Sequence, residues 1–281
     1  AAYDTARAVT LATTSAVGFA GTTANISGGF SNINNLIGTN QSDTLTGANI
    51  VSTWQLADVN NTVSANSQSL AFSGFETLNG GTSDDTFIVS DGATLDYTID
   101  GGTGSDTLSY AAWATTVEVN LTTSEATNII GTFTGIENII GGAGDDLLTG
   151  DANDNILNGG AGADTLKGGA GDDTYKYEAG WGVDNPIVDA SGNDTLDFSA
   201  LNNALTFTLN SGGLEVTDGT NSAPYTGTGI ENLLGGIGDD TFTFNAGANV
   251  IGLIDGGAGS NDTLNFGAFT SPLDIKLTGL G

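Results

Sequence analysis

Short runs in which large residues alternate with small polar ones recur along the whole chain, divided by turns rich in Gly, Asn and Asp. DTFIV from Asp85, DTLSY from Asp106 and DTFTF from Asp240 are typical. A period of two over so short a stretch, bounded by turn residues, predicts a strand. No window carries apolar residues at helical spacing with caps, so helix is predicted to be nearly absent. The expected fold class is all-β.

The runs are repeats. Asp-Thr followed by Leu, Phe or Tyr occurs at Asp43, Asp85, Asp106, Asp164, Asp173, Asp194, Asp240 and Asp262. A second element, GFETLNGG from Gly74, GIENIIGG from Gly135 and GIENLLGG from Gly229, precedes several of these turns, and GFSNINNLIG from Gly29 is a looser copy. VEVNLTT near Val117 resembles LDIKLTG near Leu273. Turn starts recur at one step from Gly80 to Gly101, Gly168 to Asp189 and Gly235 to Gly256, and at a slightly shorter one from Gly141 to Gly159. The interval from Gly38 to Gly80 reads as two such steps. Self-similarity at a period of roughly 20 residues predicts a solenoid. The expectation is one continuous right-handed parallel β-helix or β-roll over residues 1–281, with coils of about 18–23 residues. That corresponds to roughly 14 coils and about 65 Å at ~4.8 Å per coil. Pro186, Pro224 and Pro272 all read as loop residues.

From Gly141 to Lys176 the text is four consecutive nonapeptides, GGAGDDLLT, GDANDNILN, GGAGADTLK and GGAGDDTYK. Their pattern, G-G-x-G-x-D-x-U-x with U large and apolar, is that of calcium-binding β-rolls. The chain resembles the hemolysin-type, repeats-in-toxin family of secreted bacterial proteins, with degenerate copies at Gly80, Gly101, Gly235 and Gly256. The resemblance implies ions shared between stacked turns, type I secretion in an unfolded state, and folding outside the cell.

Physical chemistry points to the same ion. Glycines at the first, second and fourth positions are expected to permit positive φ and aim carbonyl oxygens inward. The sixth-position acid adds a carboxylate, and two stacked turns supply the six to eight hard oxygens calcium takes. The eighth residue (Leu148, Leu157, Leu166, Tyr175) is expected in the core and the ninth in solvent. Turns two repeats apart should stack, Asp146 on Asp164 and Asn155 on Asp173. The candidate calcium residues of the tandem block are Gly142, Gly144, Asp145, Asp146, Asp151, Asp154, Asn155, Gly160, Gly162, Asp164, Gly169, Gly171, Asp172 and Asp173. The single copies add Gly80, Asp84, Asp85, Gly101, Asp106, Asp194, Gly236, Asp239, Asp240, Gly257 and Asp262. Asn155, Asp151 and Asn153 depart from the pattern and leave the site between their turns open to a weaker or different ligand set.

Charge sharpens this picture. The chain has 33 acidic and 4 basic residues, a formal charge of -29, and 26 of the acids are Asp. Self-repulsion on that scale opposes a compact state unless cations neutralise it. Nucleic acid and anionic membranes are poor partners, and no apolar run is long enough for a membrane-spanning helix. Cys and His are both absent and no G-x-S-x-G occurs, which removes thiol, zinc and serine-hydrolase chemistry. Asp84 and Asp85 lie in a repeated turn rather than in a glycosidase pair. Glu76, Glu137, Asn138, Glu231 and Asn232 of the second element are candidates for an internal polar ladder or for strand caps. Trp54, Trp113 and Trp181 are expected to pack rather than form a sugar platform.

No enzyme is expected. The reading is a calcium-folded structural protein of a bacterial surface (S-layer, sheath, filament or adhesin stalk) that associates with copies of itself. Two other readings stand beside it: an adhesin module for a glycan, cell-surface polysaccharide or receptor, and the calcium-folded export region of a larger secreted toxin or hydrolase.

Overall fold

The computed structural model describes residues 5–15, 18–24, 26–227, 229–250, 252–270 and 272. Among these, every regular element is a strand. Lys276 and the LDIKLTG segment lie outside the described residues.

The tandem block shows the building rule. Leu148, Leu157, Leu166 and Tyr175 fall nine residues apart, and all are at most 1% exposed. Their strands alternate between two sheets, Leu147–Thr149 pairing in parallel with Thr165–Lys167, and Ile156–Asn158 with Thr174–Lys176. Two nonapeptides therefore make one coil. The middle residue of each short strand faces the core because neighbouring side chains in a strand point to opposite faces. Of the ninth-position residues, Asn158 departs from the expected exposure: it is buried, and its Oδ1 accepts the Gly160 N–H at 3.0 Å.

One parallel ladder runs through nearly the whole chain. It joins Thr53–Leu56, Thr86–Val89, Thr107–Ser109, Asn138–Ile140, Ile156–Asn158, Thr174–Lys176, Asp194–Asp197, Ile230–Leu234 and Ile254–Asp255. Between these rungs the chain crosses to one of three shorter stacks. The first runs Ala8–Ser15, Thr44–Thr46, Thr77–Gly81, Thr98–Gly102 and Phe133–Thr134. The second runs Glu118–Asn120, Leu147–Thr149 and Thr165–Lys167, and the third Thr206–Asn210, Thr241–Phe244 and Thr263–Asn265.

Coil length keeps to the expected range of about 18–23 residues in some steps and exceeds it in others. The step is 18 at Asn138↔Ile156 and Ile156↔Thr174, 21 at Thr86↔Thr107 and Thr174↔Thr195, and 22 at Thr241↔Thr263. It rises to 33 at Thr53↔Thr86, 31 at Thr107↔Asn138 and 37 at Thr195↔Asn232. The long coils carry antiparallel insertions, so the sheets are mixed and the coils fewer than expected. Asn61–Ala65 and Gln68–Ser73 form a hairpin closed by Asn66 and Ser67, both at positive φ, as a two-residue turn of this hand requires. Glu125–Ala126 folds back on Glu118–Asn120, and Gly213–Thr217 with Ser222–Thr226 extends Thr206–Asn210. The interval from Gly38 to Gly80 is accordingly not two plain coils. Gly38 N–H bonds Ser73 O and Gly47 N–H bonds Asn79 O, with the first hairpin inside the interval. Pro224, expected in a loop, sits in the outermost strand of its sheet, where its carbonyl accepts the Ile187 N–H at 3.1 Å and its missing N–H faces that irregular segment rather than the neighbouring strand.

A single apolar column fills the coils. Register partners stack directly, Trp54 on Phe87 at 5.6 Å and Phe207 on Phe242 at 4.2 Å between ring centroids. Trp54, Trp113 and Trp181 are all buried, so they pack as expected. Replacing Trp54 by Ala should destabilise the calcium-saturated protein by about 3–5 kcal/mol, since the cavity spans two stacked coils. Exposed Val59→Ala should change stability by no more than about 0.5 kcal/mol. Denaturant unfolding of the three proteins checks both.

Candidate metal centre

The turns between strands lie on two edges of the solenoid, one where the chain enters the long ladder and one where it leaves. On the entry edge Ser52 N–H donates to Asp85 Oδ1 (2.8 Å), Asp85 N–H to Asp106 Oδ1 (2.7 Å) and Asp106 N–H to Glu137 Oε2 (2.8 Å). Further along, Asn155 N–H donates to Asp173 Oδ1 (2.8 Å), Asp173 to Asp194 Oδ1 (2.8 Å) and Asp194 to Glu231 Oε2 (2.9 Å). The exit edge repeats the arrangement: Val117 to Asp146, Asp146 to Asp164, Asp164 to Asp184, then Leu205 to Asp240 and Asp240 to Asp262, all at 2.7–3.1 Å. At each of these steps one coil's turn is tied to the next by a carboxylate that accepts its backbone N–H; between Glu137 and Asn155 the link is instead the Asn155 amide donating to Glu137 O at 2.9 Å.

A second ladder runs beside the first in the opposite sense. The fifth-position acids Asp84, Asp145, Asp154, Asp172 and Asp239 lie on the outer side of the turns, and each accepts through Oδ1 an N–H from the following coil. The donors are Ser105, Ala163, Asp172, Asn193 and Ser260 at 2.7–3.0 Å.

The glutamates of the second element belong to the inner ladder. Glu76, Glu137 and Glu231 accept the N–H of Asp43, Asp106 and Asp194 at 2.8–2.9 Å. Each follows an insertion, where the returning chain lacks the compact six-residue turn. Asn138 and Asn232 extend the link through Nδ2, to Ser105 Oγ at 2.9 Å and to Thr195 Oγ1 at 3.3 Å.

Glycine serves two purposes here, and the expectation of positive φ at all three glycine positions is corrected. Gly160, Gly162, Gly169, Gly171 and Gly257 have positive φ, whereas Gly80, Gly101, Gly142, Gly144 and Gly236 do not. At the first position the requirement is steric. A Cβ on Gly80 would fall against the Asp85 carboxylate and the Gly101 carbonyl, and one on Gly168 against the Asp173 carboxylate.

The second oxygen of each inner acid divides the candidates. Asp146 Oδ2 accepts Gly142 N–H at 2.6 Å and Asp240 Oδ2 accepts Gly236 N–H at 2.7 Å, so both carboxylates are satisfied. Asn155 is closed as well, its Oδ1 on Asp151 N–H at 2.8 Å and its Nδ2 on Glu137 O at 2.9 Å. Asp151 turns to Asn153. By contrast Oδ2 of Asp85, Asp106, Asp164, Asp173 and Asp194 is buried with no donor. Asp262 is exposed at the last described coil. Two acids outside the candidate set join the site. Asp184 is the buried acceptor for Asp164, and Asp189 lies with Asp173 and Asp194 so that one oxygen of each is within 4.8 Å of the others. The signal for both was register: Asp184 falls one coil after Asp164, and Asp189 one coil after Gly168.

Burial pushes these carboxyls up, to about 7 for Asp85, Asp164 and Asp173, about 6 for Asp106 and Asp184, and about 8 for Asp194. For all but Asp184, neighbouring carboxylates add to the effect. Ionised oxygens without donors are costly in such a place unless a cation meets them. The open oxygens are hard and anionic, the donor type that calcium selects, so the residues fit that ion.

The family model of the RTX calcium-binding nonapeptide repeat matches in four copies, over residues 70–93, 132–166, 150–180 and 225–251. Among curated proteins no relative matches the chain.

Protons and calcium compete for the same oxygens. A carboxyl whose pKa is raised by folding holds its proton more tightly in the folded chain than in the unfolded one. Its contribution is complete below about pH 4 and is lost as pH rises through 6–8. Chelated protein should therefore be less stable at pH 8 than at pH 5, and saturating calcium should reverse the order. The β-structure that chelated protein retains at each pH, read by far-UV circular dichroism, and thermal melts of the calcium-loaded protein at the same two pH values check this. Asp164→Asn should weaken calcium binding while leaving chelated protein as stable at pH 7 or more so, because the amide in the equivalent Asn155 slot is satisfied by backbone. Calcium titration, and the β-structure this variant retains in chelator beside wild type, test both halves.

Proposed function

We propose that this chain, which carries RTX calcium-binding nonapeptide repeats, is one calcium-folded, right-handed β-solenoid that serves as a structural element of a bacterial cell surface and is not an enzyme. The observation that carries the reading is the row of buried carboxylates on both edges, each tied to the next coil and five of them with an open oxygen. Asp85, Asp106, Asp164, Asp173 and Asp194 would hold calcium, which neutralises them and adds its binding energy to folding. Each site at about ten times its dissociation constant contributes roughly 1.4 kcal/mol.

Repeats of this kind typically belong to proteins exported by type I secretion. In low cytosolic calcium the inner acids repel one another and the chain stays unfolded. In millimolar calcium outside the cell the coils close. Among the described residues no helix is long and apolar enough to cross a membrane.

Self-association is part of this reading because a solenoid grows by the addition of rungs to strand edges. A strand edge is a template for a further rung, and a second copy would supply one. A module that presents loops to a glycan is the second reading, favoured by the inserted hairpins, since insertions in solenoids map to one face, often the binding face.

Calcium titrated into chelator-treated protein, followed by far-UV circular dichroism and light scattering, should convert coil to β-structure and then raise the scattering. β-Structure without scattering, together with hits on a glycan array, would favour the module. Equal β-structure in chelator would sink the calcium-folding reading.

A further inference from the structure

The turn from Asp189 to Asp194 carries an acid where the repeat carries glycine. Asp189 stands in register with Gly168, the first glycine of the last tandem nonapeptide. Ala170 bridges Ser191, and the Ala190 N–H donates to Gly169 O at 3.1 Å. At this position in the repeat a side chain is directed at the inner carboxylates, as a Cβ on Gly168 would be.

Asp173 and Asp194 are 1% and 0% exposed. Each uses Oδ1 on an N–H of the preceding coil and leaves Oδ2 without a donor. Asp189 holds the Ala190 N–H on Oδ1 at 3.0 Å, and its Oδ2 is likewise buried without a donor. Three carboxylates from two adjacent coils therefore converge within 4.8 Å. No ion pair among the described residues involves any of the three. Like charges at this separation repel strongly in a buried setting. A hard cation is the group that satisfies three anionic oxygens at once.

We propose that Asp189 turns this inter-coil turn into a three-carboxylate cation site, which takes calcium or a lanthanide more tightly than the turns that keep glycine at that position. The inference rests on the calcium-folding reading above. Its physical basis is ligand charge, which sets calcium affinity when geometry is comparable. The site lies between the last tandem nonapeptide and the long coil step that follows, Thr195↔Asn232. It fastens the compact coils at the point where the step lengthens.

Tyr175 provides a local reporter. Its hydroxyl accepts the Gly168 N–H at 2.9 Å, and a Cβ on Gly168 would touch both that hydroxyl and the Asp173 carboxylate. Terbium should be titrated into the chelator-treated full chain with tyrosine excitation and calcium competition. The proteins to compare are wild type, Asp189→Gly, Asp189→Asn and Tyr175→Phe. The expected result is a first-filling site whose dissociation constant rises about tenfold or more in both Asp189 variants, with the later sites unchanged. Emission from that first site should fall in Tyr175→Phe. Circular dichroism in saturating calcium checks that Asp189→Gly folds, and Asp189→Asn, which keeps the side-chain volume, covers the case in which it does not. If both variants fill like wild type, or if Tyr175→Phe keeps full first-site emission, the proposal is overturned and the calcium-folding reading stands. If wild type binds neither ion, the calcium-folding reading itself falls.

Discussion

The bond from a backbone N–H to a carboxylate of the next coil is the interaction on which the other features of this molecule depend. It recurs from Ser52 to Glu231 on one edge, interrupted where the Asn155 amide replaces an acid, and from Val117 to Asp262 on the other. A hydrogen bond to a charged acceptor is worth about 1.5–3 kcal/mol, more than a neutral one, and here it recurs in coil after coil. The constraint it sets is close packing at the turn. The carboxylate occupies the volume that a Cβ at the first position would take, which is why Gly80, Gly159 and Gly168 precede Asp85, Asp164 and Asp173 by five residues. The same bond places the acid immediately before a strand, so Asp-Thr opens one strand after another. It also forces a column of like charge that protons or cations must relieve.

Insertions are compatible with this scheme because the link needs only one acceptor per turn, not a complete nonapeptide. Glu76, Glu137 and Glu231 close it from a different backbone path, with a side chain one methylene longer. The core column continues past each insertion, since Phe87, Leu108, Ile139 and Leu233 all lie within it. Side excursions such as the first hairpin therefore hang on a frame whose register they do not disturb.

The repeats make much of this legible. The glycine-to-aspartate spacing marks the turns, and the nine-residue recurrence of Leu148, Leu157, Leu166 and Tyr175 marks the core and the stacking of Asp146 on Asp164. The hairpins are hidden because their strands have the same period of two as the rungs, and nothing local says whether a strand pairs with the previous coil or folds back on its neighbour. Asp146 and Asp164 read alike in sequence, yet only one has an open oxygen. The difference is whether the second-position N–H reaches back to Oδ2, as Gly142 does, and that is decided by backbone path rather than residue type. Asp189 is hidden because at that position the pattern calls for glycine.

The unequal coils have a mechanical consequence. Stacked rungs under axial tension behave as links in series, each held by its turn bonds and by whatever ions bridge them. A compact coil such as Asn138 to Ile156 adds about 4.8 Å of height while closed. Detached and drawn straight, the same coil lengthens to roughly 60 Å of chain. The long step from Thr195 to Asn232 lengthens to roughly 125 Å. Yielding one coil at a time would let the solenoid absorb a pull in graded steps and take up the slack again when the load is removed.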